Sequence, residues 1–132
     1  MRQFNSVAQM DSLKGTITCS SMSRGEECRL EQMLNIFRDA DNEVVDSGHK
    51  AIPCIVQEGT KFLRPSSNIK YYEKVYIFNF SWNPDPSRPL PMEKQTFYQT
   101  LLSYADYIGK EMELGRLYLD FDGKTELLET DI

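Results

Sequence analysis

The run from Tyr71 to Trp82 constrains the fold more than any other part of the chain. Aromatic side chains recur there at alternate positions, on one face of an extended backbone: Tyr72, Tyr76, Phe78, Phe80 and Trp82, with Lys74 interrupting them. This alternation predicts a long β-strand with one aromatic face. Val75 and Ile77 make the other face partly apolar, which predicts that the strand lies inside a sheet. We expect the aromatic face to turn inward and to be covered by a helix that follows Pro91.

Two helices are predicted, one on each side of this strand in the sequence. The segment from Ser23 to Glu26 matches a capping box, and the apolar stripe of the first helix consists of Leu30, Met33, Leu34 and Phe37. Turn-forming residues end this helix near Arg38. The second helix begins at Pro91, and its stripe consists of Phe97, Leu101, Tyr104, Ala105, Ile108 and Met112. The predicted core contains Phe37, Phe78, Phe80, Leu101, Tyr104 and Ile108.

The remaining apolar runs predict shorter strands. The run Ala51–Val56 contains Pro53, which cannot donate to a ladder and therefore indicates an edge position or a strand start. Glu58-Gly59 predicts a hairpin turn into a strand over residues 60–63, and Asp122-Gly123 predicts a turn between two C-terminal strands. The order of the elements predicts an α+β fold, with two helices packed on a mostly antiparallel β-sheet and an extended N-terminal arm.

The chain is predicted to be a single α+β domain over residues 23–132, preceded by an N-terminal arm over residues 1–22. The arm and a Pro-rich loop over residues 83–91 are the least self-sufficient parts of the chain, so both are predicted to contact another molecule. The candidate partner contacts are Phe4, Met10 and Ile17 in the arm and Pro84, Asp85, Pro86, Arg88 and Pro89 in the loop.

Net charge and cysteine content narrow the classes of function. The formal net charge of −5 would repel a phosphate backbone, so nucleic acid is not an expected partner. The three cysteines, Cys19, Cys28 and Cys54, form no CxxC pair, and their odd number indicates reduced thiols in a cytosolic setting. No stretch approaches the ~20 apolar residues of a membrane helix. We therefore expect a soluble protein that is cytoplasmic or is incorporated into a virion assembled there.

None of the motifs in the chain predicts a catalytic site. His49 is the only histidine, and its odd spacing from Cys54 would place the two side chains on opposite faces of one strand. The segment from Asp39 to Glu43 lacks the glycine and the final acid of an EF-hand loop. The stretch from Leu117 to Thr125 resembles the first motif of haloacid-dehalogenase phosphatases, but Lys124 interrupts the expected Asp-Gly-Thr. No catalytic, cofactor-binding or metal-binding residue and no cofactor is predicted.

These observations favour a non-enzymatic assembly or binding subunit. The stretch from Ala51 to Met112 resembles phage tail-terminator or tail-completion proteins, in which a Pro-containing strand, a long strand and a helix with an Ala-Asp-x-Ile element recur in that order. The element here is Ala105-Asp106-Tyr107-Ile108. The resemblance implies a structural protein of the virion neck. The predicted partner is protein, either copies of the chain itself in a homo-oligomer or another subunit, and not a membrane.

Two alternatives stay open. A small acidic domain is suited to block a basic surface of a partner, which predicts an inhibitor or an immunity or anti-defence protein. The other alternative is a small enzyme that uses carboxylates and tyrosines, although the sequence singles out no pair of such residues. Because no motif in the sequence predicts a catalytic site, the sequence argues against an enzyme. An open cleft in which the aromatic rings lie beside clustered acidic groups would reverse that conclusion.

Overall fold

The computed structural model describes residues 3–7, 9, 11–83 and 91–130. In chain order the elements are β1 (Leu13–Ser20), β2 (Met22–Ser23), β3 (Glu26–Glu27), α1 (Leu30–Asp46), β4 (Cys54–Leu63), β5 (Tyr71–Trp82), α2 (Lys94–Glu111), β6 (Arg116–Phe121) and β7 (Lys124–Glu129). The predicted fold class is confirmed, because two helices pack on a five-stranded antiparallel sheet, with β2 and β3 forming a small second sheet. None of the described helices is long and apolar enough to cross a membrane.

The middle strand of the large sheet comes from the predicted arm. The strand order is β4-β5-β1-β6-β7, so β1 pairs with β5 on one side and with β6 on the other. Alternate side chains of β1 are buried, and Ile17 is 0 % exposed. Residues 13–20 therefore belong to the sheet. The prediction that Ile17 contacts a partner is wrong, because this side chain lies in the core.

Both helices lie on one face of the sheet, here called the covered face, and this face holds the core. Five of the six predicted core side chains are fully buried, namely Phe78, Phe80, Leu101, Tyr104 and Ile108. The ring of Phe37 is half-buried and lies 5.4–5.9 Å from the rings of Phe78, Phe80 and Tyr104. The inner part of the aromatic strand thus packs against the helices as the alternation predicts.

The first helix begins at Leu30 and not after Ser23. Arg24 and Gly25 have φ values of 55° and 77°, the left-handed backbone that a tight hairpin requires, so the predicted capping box is the β2–β3 turn. The helix is capped by Gln32, whose side chain accepts a hydrogen bond from the backbone N–H of Arg29 at 2.9 Å.

The first helix also continues past Arg38 to Asp46. Its buried side chains are Met33, Ala40 and Val44, whereas Leu30 and Leu34 are exposed. The buried stripe is therefore rotated relative to the predicted one. Of the acidic residues that suggest a turn, Asp39 is exposed, whereas Asp41 is half-buried and accepts a hydrogen bond from the Tyr104 hydroxyl at 2.6 Å.

Strand β4 runs without interruption through Glu58 and Gly59, where the sequence predicts a turn. Glu58 pairs with Tyr76 and Gly59 pairs with Val75 of β5. A Cβ atom on Gly59 would lie 2.9 Å from the side chain of Ile77, so this glycine allows a close approach within the sheet. The prediction of an edge strand is confirmed, because β4 is the outermost strand on its side.

The aromatic face of β5 extends beyond the helices. Tyr76 is fully buried, but Tyr72 is 73 % exposed. The ring of Tyr72 lies 5.9 Å from that of Phe62, its partner on β4. The prediction that every aromatic side chain from Tyr72 onward turns into the core is therefore wrong at this end, because the helices leave the outer part of the β4–β5 hairpin uncovered.

Candidate functional site

The sheet face opposite the helices, here called the open face, carries polar and charged side chains. Because side chains alternate along a strand, the residues between the buried ones point to it. They include Lys14, Thr16, Thr18 and Ser20 on β1, Lys61 on β4, Glu73, Ile77, Asn79 and Ser81 on β5, and Arg116 and Tyr118 on β6. Two sizeable depressions lie on this face, one toward each end of β5.

One depression, here called the charged pocket, has a volume of about 480 Å³, which lies within the usual range for small-molecule sites. Its lining combines two cations, one carboxylate and two phenol rings: Lys61, Arg116, Glu73, Tyr71 and Tyr118, together with Thr18, Ser20, Leu63 and Val75. Charges of both signs beside aromatic rings suit a zwitterionic ligand that also carries an aromatic group.

The charged side chains of this pocket form no ion pair with one another in the described part of the chain. The Nζ atom of Lys61 lies 4.8 Å from the centroid of the Tyr118 ring, a distance typical of a cation–π contact. Within the described part of the chain, Glu73 and Arg116 take part in no ion pair and no side-chain hydrogen bond. The carboxylate and the guanidinium are therefore both available to a ligand.

A second group of charged side chains lies on the covered face of the same hairpin, and its members pair with one another. The Nζ atom of Lys74 lies 3.2 Å from a carboxylate oxygen of Glu27 and 3.2 Å from one of Glu58. Hydrogen bonds to Glu27 and Glu58 raise the pKa of Lys74. The buried hydroxyl of Tyr76 donates to the carbonyl oxygen of Cys28 at 2.5 Å, and burial raises the pKa of Tyr76 to about 12. This cluster ties the β2–β3 segment to the sheet.

The buried thiols and the histidine do not form a nucleophilic site. Burial is the main reason that the pKa of Cys19 and that of Cys54 are raised to about 12, so both are neutral thiols near pH 7. The ring nitrogens of His49 lie 3.3 Å from Thr100 Oγ1 and 3.4 Å from Ser103 Oγ, both on α2. Among the residues that the structure describes, no cluster of His, Cys, Asp and Glu side chains is placed to hold a metal ion.

The predicted partner contacts do not form this site. Most of them lie outside the described residues: Met10, Pro84, Asp85, Pro86, Arg88 and Pro89. Phe4 is described and fully exposed, and its contact with a partner stays a prediction. Ile17 is a core residue of the sheet.

Comparison with known proteins identifies a shared fold. No family model matches the sequence, and no curated protein sequence matches it significantly. Two solved structures of a phage SAM lyase share the architecture. The apo structure aligns with a TM-score of 0.64 at 6 % identity, covering 99 % of this chain and 98 % of the lyase chain. The complex with S-methyl-5′-thioadenosine aligns with a TM-score of 0.61 at 7 % identity, covering 96 % of this chain and 97 % of the lyase chain.

The shared fold contradicts the predicted non-enzymatic assembly subunit of the tail-terminator type. The SAM lyase is an enzyme, and the alignment spans nearly the whole of both chains, whereas the resemblance to tail proteins is confined to residues 51–112. The comparison therefore fits the small-enzyme alternative better than the assembly subunit. At this level of identity the similarity establishes the architecture alone, so an activity has to be argued from the site.

Sequence reasoning missed the charged pocket because its residues are far apart in the chain. Arg116 and Glu73 approach each other only because β1 lies between β5 and β6. One local signal exists: Lys61 and Glu73 carry opposite charges at paired positions of β4 and β5. That pairing is visible only when β4 continues through Gly59, where the sequence predicts a turn.

Proposed function

We propose that this protein is an enzyme that cleaves S-adenosylmethionine (SAM) and releases S-methyl-5′-thioadenosine. The observation that carries the proposal is the charged pocket, where unpaired Glu73 and Arg116 side chains lie beside two tyrosine rings. The fold shared with a phage SAM lyase supports the same conclusion. SAM offers complementary groups, namely an α-ammonium, an α-carboxylate, a sulfonium and an adenine ring.

In the proposed complex each end of the substrate meets a complementary side chain. The carboxylate of Glu73 binds the α-ammonium, and the guanidinium of Arg116 binds the α-carboxylate through charge-assisted hydrogen bonds. The ring of Tyr71 provides a face on which adenine stacks. Lys61, held over the Tyr118 ring, adds a second cation on the carboxylate side.

The proposed step breaks the bond between the sulfonium sulfur and the γ-carbon of the aminobutyrate chain. The bonding pair stays on sulfur, so S-methyl-5′-thioadenosine leaves as a neutral thioether. The γ-carbon of the remaining four-carbon fragment then forms a new bond without water. It bonds either to the fragment's own carboxylate oxygen or, through a double bond, to the β-carbon, whose proton is lost to solvent. The positive charge on the sulfonium disappears along the reaction. A carboxylate next to the sulfur would stabilise that charge in the substrate and slow the step, whereas the Glu73 carboxylate binds the ammonium instead.

Product analysis tests this proposal. Purified protein is incubated with SAM, and the nucleosides are separated by liquid chromatography and identified by mass. We expect S-methyl-5′-thioadenosine to accumulate faster than in parallel samples without protein or with heat-denatured protein, which measure spontaneous breakdown. Accumulation of S-adenosylhomocysteine would show methyl transfer instead, and that product or unchanged SAM would contradict the proposal.

The predicted homo-oligomer is retained as part of the proposal. A pocket on an open sheet face is enclosed from one side only, whereas small-molecule sites usually bury most of the ligand surface, so a second copy is a suitable cover. Light scattering on the purified protein should report a mass above that of one chain, and a strict monomer at high concentration would refute this part. The phage origin of the structural neighbours supports a viral protein that acts in the cytoplasm.

A further inference from the structure

The end of the β4–β5 hairpin exposes apolar side chains that the helices do not cover. On the covered face, Phe62 is 78 % exposed and lies beside the equally exposed ring of Tyr72. Ile69, in the connection between the two strands, is also exposed. These three side chains, together with Arg64 and Lys70 from the same connection, are here called the aromatic tip. Apolar side chains grouped on a surface in this way mark a contact with another molecule.

The aromatic tip is basic in a chain that is acidic as a whole. Residues 57–74 carry four basic and two acidic side chains, whereas the formal net charge of the chain is −5. Arg64 and Lys70 are both exposed, and neither takes part in an ion pair within the described part of the chain. The surface that best complements the aromatic tip is therefore acidic.

A surface of that charge lies on the helices of the same chain. Ile36, Asp39 and Glu43 share one face of α1, because they are three and four residues apart. Burial raises the pKa of Tyr107 on α2, and so do the carboxylates of Glu111 and of the two acidic residues of α1. Among the described residues, these three carboxylates take part in no ion pair. This surface, here called the acidic helix face, thus surrounds two half-buried apolar side chains, Ile36 and Tyr107, with unpaired carboxylates.

We propose that the aromatic tip of one copy of the chain docks on the acidic helix face of a second copy. The exposed rings of the tip pack against Ile36 and Tyr107, and Arg64 and Lys70 pair with the carboxylates. Because each copy carries both surfaces, the contact closes either as a reciprocal dimer or as a ring. The inference rests on the proposed homo-oligomer and names one of its contacts, but it does not depend on the cleavage of SAM.

Charge reversal on the whole protein tests the inference, with light scattering as the measurement of mass over a dilution series. Arg64→Glu combined with Lys70→Glu brings like charges together and should weaken self-association at least about 100-fold. Asp39→Lys combined with Glu43→Lys should weaken it to a similar extent. The variant with all four substitutions has opposite charges again, with the signs exchanged, and should recover the mass of the unchanged protein.

Two further variants separate the contact from general effects. Phe62→Ala removes an exposed ring of the tip, so it should weaken self-association at least about tenfold and leave the thermal unfolding midpoint within error of the unchanged protein. Lys50→Glu combined with Lys124→Glu changes the net charge as much as the reversed tip does, at exposed lysines outside both surfaces. This control should keep the mass of the unchanged protein.

The outcomes distinguish this contact from the rest of the account. A single-chain mass for the unchanged protein at high concentration would overturn the inference together with the homo-oligomer. An unchanged mass in either folded charge-reversed pair would overturn this contact alone and would assign the oligomer to another surface. Failure of the folded four-substitution variant to associate would overturn the pairing of the two surfaces. A protein that associates as described but leaves SAM intact would refute only the proposed reaction.

Discussion

The two faces of the five-stranded sheet are made by the same strands but differ in how their polar groups are satisfied. On the covered face, polar groups form hydrogen bonds within the protein, as the Tyr76 hydroxyl does with the Cys28 carbonyl oxygen. On the open face, Glu73 and Arg116 have no such partner within the described residues. One face therefore holds the fold together, and the other is free to hold a ligand.

This difference follows from the period of a β-strand. Residues of one strand that are one position apart face opposite environments, so selection for a core and selection for a site act on neighbouring positions with little conflict. Glu73 and Lys74 show this directly: Lys74 is paired with two carboxylates on the covered face, and Glu73 lines the charged pocket on the open face.

The largest difference between the faces is expected in stability. Phe78→Ala on the covered face removes a fully buried ring and should lower the free energy of unfolding by about 3–5 kcal/mol. Ile55→Ala on the open face, at a mostly exposed position, should change it by less than about 0.5 kcal/mol. Urea denaturation followed by circular dichroism measures both. Equal losses would show that the open face is also part of the core.

A smaller difference is expected for two tyrosine hydroxyls. The Tyr104 hydroxyl accepts from the buried Ile52 N–H at 3.0 Å and donates to Asp41 at 2.6 Å, so Tyr104→Phe leaves a buried donor unsatisfied and should cost about 1–3 kcal/mol. Tyr118→Phe on the open face keeps the ring and breaks no hydrogen bond that the structure shows, so its unfolding midpoint in urea should match that of the unchanged protein. A similar cost for both variants would contradict the distinction.

An effect of similar size is expected at alkaline pH. Burial raises the pKa of Tyr76 from 10.0 to about 12, so between these values the unfolded chain ionises this group while the folded chain keeps its proton. The free energy of unfolding should therefore fall as pH rises from 10 to 12, with this side chain contributing at most about 1.4 kcal/mol per pH unit. Tyr76→Phe should make the decline shallower in that window. Parallel curves for the two proteins would argue against the assigned cause.

The sequence predicts the covered face well and the open face poorly, for a physical reason. Burial leaves a periodic record in the sequence, and so the alternation from Tyr76 to Phe80 and the stripe of α2 are enough to identify the core. The order of the strands leaves no such record. The central position of β1 depends on long-range pairing, and its short alternation around Ile17 does not stand out from a polar segment.

Glycine explains two of the errors in the predicted boundaries. Gly25 lies between Ser23 and Glu26, which match a capping box, but its positive φ belongs to a hairpin. Gly59 suggests a turn, although it lies in mid-strand beneath the Ile77 side chain. In both cases the identity of the residue shows that the backbone is unusual there, and only the tertiary contacts show in which way.

The central claim is that the open face carries the chemistry, and two matched variants test it most directly. Glu73→Gln and Glu58→Gln each replace one carboxylate by its isosteric amide, on the open and the covered face of the same strand pair. With SAM below its KM and both variants confirmed as folded, Glu73→Gln should release S-methyl-5′-thioadenosine at least about 100-fold more slowly than the unchanged protein, because the ammonium loses its charged partner. Glu58→Gln should release it at nearly the same rate as the unchanged protein. Unchanged release by Glu73→Gln, or selective loss in Glu58→Gln, would contradict the account.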